Sequence, residues 1–129
     1  MRRLILLALC ACASPQPPPG SAGPAEAVKE FATAVQKGDA ATAWSLLSSR
    51  TQQRADAVAA RARAASAEEK PESGRAMLFG SALPGKPIDA RVVSQKGETA
   101  EVRTNEGGGR IYRVVREGDR WRVDLDLPD

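Results

Sequence analysis

The chain has 129 residues, of which 27% are charged, and its aromatics are two Trp, two Phe and one Tyr. It has no histidine, and its two cysteines, Cys10 and Cys12, lie close together near the N-terminus. The remainder therefore offers no disulfide, thiol nucleophile, Cys/His metal centre or Ser-His-Asp relay, and no cofactor is expected. The formal charge of +3 includes Arg2 and Arg3, without which the chain is close to neutral. One basic cluster, Arg50, Arg54, Arg61 and Arg63, has no aromatic among it. It reads as a solvated helix face, and nucleic acid is not an expected partner.

The chain opens on a basic segment, Met1-Arg2-Arg3, and an apolar run from Leu4 to Leu9 that is too short to span a bilayer. Leu9-Cys10-Ala11-Cys12 resembles a bacterial lipobox, with Leu9 at −3, Ala11 at −1 and Cys12 as the lipidated residue. The resemblance implies a signal peptide over 1–11, diacylglycerol on the Cys12 sulfur and acylation of its freed amino group. Ala13, in place of Asp after the lipid site, implies the outer membrane facing the periplasm in a Gram-negative cell. Ala11-Cys12-Ala13 also fits an ordinary cleavage site, which would release a soluble secreted protein. Residues 12–24 carry the lipid site and a linker rich in Pro, Gly and Ser, with Pro17, Pro18 and Pro19 in a row. Such a segment stays extended, as a tether to a membrane needs.

The folding unit is read as 25–129. Pro24 and Glu26 suit a helix start, and Val28, Phe31, Ala32 and Val35 make one apolar stripe ending at Gly38. Asp39 caps a second helix with a stripe of Ala40, Ala43, Trp44 and Leu47. Ser49 with Gln52 forms a capping-box pattern for a third helix running to about Ala67. That helix has little to bury, so it is either long and partly exposed or packed closely through Ala55, Ala59 and Ala62. Arg75 to Gly80, holding Met77, Leu78 and Phe79, fits either a helical turn or a short strand.

From Pro87 the period changes to two. Ile88, Ala90 and Val92 alternate with polar residues, and so do Ala100, Val102 and Thr104. Glu106 to Gly109 is a glycine-rich hairpin loop, Ile111 to Glu117 a third strand and Arg120 to Leu127 a fourth. On the last strand Trp121, Val123, Leu125 and Leu127 share one face, which sends Asp124 and Asp126 to solvent. The fold class is α+β: N-terminal helices packed on a curved four-stranded antiparallel sheet.

Ala27 to Phe31, Gly38-Asp39, Ala43 to Ser48, and Val114 to Val123 resemble the nuclear-transport-factor-like, or ketosteroid-isomerase-like, superfamily. The resemblance covers roughly Ala25 to Leu127. It implies a cone-like fold, sometimes hollow, and bacterial lipoproteins of unknown function share it. Three roles follow. The first is a non-catalytic, membrane-anchored envelope lipoprotein engaging another envelope protein. The second is a carrier of a small apolar ligand lined by Phe31, Trp44, Met77, Phe79, Tyr112 and Trp121. The third is an isomerase- or dehydratase-like enzyme, for which no catalytic residue is assigned. A filled interior favours the first, an open apolar cavity the second, and an inward carboxylate near Tyr112 the third.

Overall fold

The computed structural model describes residues 20–65 and 72–127. They form an α+β fold of four helices and one open, four-stranded antiparallel sheet. Cys12 and the leader lie outside the described residues, as do most of the Pro-rich linker and residues 66–71.

Helix α1, Pro24–Lys37, starts on proline with Glu26 in its first turn. It ends in a Schellman-type cap. Gly38, at φ 72°, donates its N–H to Val35 O at 3.2 Å, and Asp39 N–H donates to Ala34 O at 2.8 Å. A side chain at position 38 would be strained in that left-handed conformation. The Asp39 carboxylate then accepts from Thr42 N–H and opens α2, Ala40–Ser45. The expected box at Ser49 and Gln52 is displaced by one residue. Ser48 Oγ accepts from Thr51 N–H, and this caps α3, Ser49–Ala65. Ser49 instead donates its N–H and hydroxyl to the Glu117 carboxylate, while Gln52 Nε2 donates to Trp44 O.

Helix α4, Gly74–Phe79, resolves the choice left open over residues 75–80. Ser73 caps it by accepting from Ala76 N–H. Gly74 N–H donates to the Asp56 carboxylate, and a Cβ at Gly74 would stand 2.5 Å from the Ala55 carbonyl carbon. Only glycine allows this approach of α4 to α3. Ala55 and Ala59 are fully buried in the same region and Ala62 half-buried, so α3 packs closely through this stripe while its other side stays exposed.

The strands are β1 Ala90–Lys96, β2 Thr99–Thr104, β3 Ile111–Glu117 and β4 Arg120–Asp124, in spatial order 1-2-3-4. The first and last are shorter than expected: β1 starts beyond Ile88, and Leu125 and Leu127 follow β4 half-buried. A bulge at Val93 interrupts the alternation of β1, leaving Val92 and Val93 exposed. On the inner face Val102, Val114, Trp121 and Val123 meet Val28, Phe31, Leu46 and Leu47 of the helical layer. Each fully buried aliphatic side chain here contributes about 1.5–3 kcal/mol.

The fold also begins earlier than residue 25. Ser21, assigned to the linker from sequence, is buried and exchanges two backbone hydrogen bonds with Trp121, at 2.8 and 2.9 Å. Arg120 donates to Gly20 O beside it. Further along β4, Val123 N–H donates to Leu46 O, and Ser48 N–H donates to Val123 O. Segments from either side of α1 therefore complete the hydrogen-bonding edge of β4.

Candidate functional site: a cleft at the open end of the helical layer

Two places in the fold concentrate polar groups against buried surface. The first corrects an expectation. Asp124 is only 7% exposed and does not face solvent. Alternation does send it to the outer face, opposite Arg113 of β3, but the start of α3 folds over that face and encloses it. Ser48 Oγ donates to its Oδ1 at 2.6 Å, and Arg50 donates to Oδ1 and Oδ2 at 3.3 and 2.8 Å. Thr51 Oγ1 accepts from Leu125 N–H and tightens the same turn. Burial pushes the Asp124 carboxyl up. Hydrogen bonds from Arg50 and Ser48, with the charges of Arg50 and Arg113, outweigh that and hold it below the usual carboxylate range. Both carboxylate oxygens accept hydrogen bonds, and the cluster fastens α3 to β4.

The second place is a cleft of about 380 Å³ where α1, α4, the start of β3 and the end of the chain converge. Phe31 and Val35, one turn apart on α1, form one wall with Ala32. Leu78 and Phe79 of α4 form another, with Phe79 edge-on to Phe31 at 5.9 Å between ring centres. Leu125 closes the side toward β4. The connection after α4 passes over the mouth as a strap. Leu83 N–H donates to Val35 O, and Gln36 Nε2 donates to Lys86 O at 2.9 Å, which together fix the strap against α1. Leu83 remains 63% exposed at the lip.

Apart from Gln36 at the strap, the polar side chains of the lining stand on the side nearest the glycine loop. Tyr112 OH donates to Glu106 Oε2 at 2.9 Å, and the Arg110 guanidinium lies over the Tyr112 ring, 4.6 Å from its centre. Burial, then the hydrogen bond to Glu106, pushes the tyrosine up to about 12. At neutral pH it is a fully protonated donor whose one proton is committed to Glu106.

Of the six residues assigned to a ligand cavity, the structure brings Phe31, Phe79 and Tyr112 together in the cleft. Trp44, Met77 and Trp121 do not line it. Trp44 and Met77 are half-buried elsewhere in the helical layer, and Trp121 is sealed in the core beside the Ser21 bridge. The six were gathered by size and type, whereas this two-layer fold uses the central ones in packing and leaves this cleft at its end. Sequence reading missed Glu106, Arg110, Leu83 and Leu125. The available signal was the pair of opposite charges flanking the triple glycine next to the sole tyrosine. Among the described residues no cluster of carboxylates suits a metal ion, and no helix is long and apolar enough to cross a membrane. No family model, curated protein or solved structure matches this chain.

Proposed function

We propose that this chain is a non-catalytic, lipid-anchored protein of the bacterial cell envelope, with a cone-like domain that binds a small amphipathic ligand. The observation that carries the binding role is the cleft. The middle of the interior is filled by Val28, Leu46, Leu47, Val102, Val114 and Val123, yet an apolar space stays open at the α1–α4 end. Its volume falls at the small end of the range for ligand pockets, and its apolar walls with one polar side are the usual composition of such sites. A ligand with an apolar body and one polar end fits: the body against Phe31, Val35 and Phe79, the polar end at Glu106 and Arg110.

The carboxylate beside Tyr112 speaks for an isomerase-like enzyme, but its geometry argues the other way. Proton-abstraction chemistry needs a free base and a donor aimed at the developing oxyanion. Here the donor and the carboxylate satisfy one another. Anchoring through Cys12 rests on the lipobox-like Leu9-Cys10-Ala11-Cys12 and on the Pro-rich segment that follows. Stable attachment needs at least two acyl chains, which a triacylated cysteine supplies.

Titration of the full chain with the fluorescent apolar probe N-phenyl-1-naphthylamine tests the binding role. Saturable one-to-one binding that Ala32→Trp abolishes, with the fold retained by circular dichroism, is the expected result. Binding equal in wild type and variant, or none in either, would return the domain to a surface-only partner role. Native mass spectrometry of the protein extracted from its own membranes would then identify the occupant.

A further inference from the structure

On the sheet face opposite the cleft, at the same end, the structure juxtaposes two cations that form no ion pair among the described residues. Arg91 of β1 and Arg103 of β2 are direct cross-strand partners. Like charges in that position destabilise a sheet. Elsewhere on this face the arginines are matched: Arg113 meets Asp124 at 3.7 Å and Arg122 meets Glu117 at 3.5 Å. Arg91 and Arg103 have no carboxylate within ion-pair distance among the described residues.

Both arginines line a hollow of about 560 Å³ together with Thr104, Asn105, Gly108 and Gly109. Among the described residues Asp89 is the one carboxylate on its rim. Asn105 Oδ1 accepts from Asp89 N–H, and Asn105 N–H donates to Asp89 O, so this pair ties the two strand ends together. The Asn105 Oδ1 is thereby engaged, and its NH2 has no hydrogen-bond partner among the described residues. A Cβ at Gly109 would stand 3.7 Å from Arg103 Cδ, so the glycine leaves the space beside the arginine stem open.

From this arrangement we infer a binding site for a phosphate group, held between the Arg91 and Arg103 guanidiniums with Asn105 as a further donor. Guanidinium forks match phosphate oxygens in pairs. A bound phosphate would also offset the cross-strand repulsion, which no ion pair among the described residues does. The same chemistry serves a free phosphate compound and an anionic phospholipid headgroup. The site is independent of the ligand cleft, which lies on the other face.

The test uses the full chain with Cys12→Ser, so that no lipid on that residue enters the comparison. Inorganic phosphate is titrated at constant ionic strength set with chloride, following arginine side-chain NMR signals. Vesicles of phosphatidylcholine, with and without phosphatidylglycerol, are then tested by co-sedimentation. Saturable phosphate binding identifies a free-phosphate site, and retention only by phosphatidylglycerol vesicles identifies a headgroup site. In either case Arg91→Gln and Arg103→Gln should each weaken binding by about tenfold or more. Their melting temperatures should be unchanged or higher, because each removes a repulsion. No binding of either probe, binding that both variants retain, or a melting temperature that falls with the binding would overturn the assignment.

Discussion

The two edges of the sheet have been treated in opposite ways. Along β4, every exposed hydrogen-bonding stretch has been taken up by another part of the chain: Ser21 on one side of Trp121, Leu46 and Ser48 about Val123. Asp124 then locks α3 over the end of the strand. Along β1, the outer edge has no partner among the described residues, and Val92 and Val93 are 39% and 43% exposed. Bare strand edges invite pairing with other chains, and β1 carries the usual protections: a bulge and flanking cations, Arg91 and Lys96. The comparison teaches where stability resides. The β4 edge joins the N-terminal segment, the helices and the sheet into one unit, while the β1 edge is a margin that tolerates change.

Among truncating and isosteric changes, Trp121→Ala should have the largest effect. The side chain is 6% exposed and its backbone carries the Ser21 bridge. Such truncations cost about 3–5 kcal/mol, against a total of about 5–15 for a domain. The expected fall in melting temperature exceeds about 10 °C, and a fall of a degree or two would place little weight on the β4 edge.

Asp124→Asn comes next. Arg50 is half-exposed, so its ion pair with Asp124 is screened and contributes little by itself. The loss comes from the buried hydrogen bonds to the carboxylate, about 1–3 kcal/mol. The sign with pH follows from the depressed folded-state titration. The contribution is full above the unfolded value of about 3.9 and is lost as pH falls through the lower folded value. Wild type and variant should therefore differ at pH 7 and converge as acid protonates the wild type. Melts recorded from pH 7 down to 2 decide this, and an unchanged gap at the acid end would remove the carboxylate charge from the explanation.

The contrast between the edges was only half legible in the sequence. Period-two alternation named Trp121 and Val123 as inward residues, and the 3.6-residue stripe of α1 named Val28 and Phe31, because both patterns are local. Asp124 obeyed its alternation as well, but alternation gives a face and says nothing of what folds over it. Its burial depends on Ser48, Arg50 and Thr51, more than 70 residues away in the chain. Ser21 was hidden for the same reason: a Ser in a Pro/Gly-rich stretch has no periodic signal, and only the free edge of β4 makes it a strand partner. The cleft was half visible. Phe31, Phe79 and Tyr112 were identified by size, whereas Glu106 and Arg110 join them only because the glycine loop turns the chain back beside the tyrosine.

The smallest expected effect is that of Val93→Lys on β1, set against Val123→Lys on β4 as its buried counterpart and read by thermal melts of each full-length variant. Val93 is the extra residue of the bulge. The register passes from Val92 opposite Val102 to Ser94 opposite Glu101 and leaves Val93 without a cross-strand partner. Replacing it removes no paired contact, and a lysine there keeps its ammonium in water. The change should stay within about 0.5 kcal/mol. Val123, by contrast, has no exposed surface and sits between the Leu46 and Ser48 hydrogen bonds, so a lysine there buries an unpaired charge and should prevent folding. A melting shift at Val93→Lys of more than about 5 °C would mean that the β1 edge is covered as firmly as β4, and the division of labour between the two edges would fail.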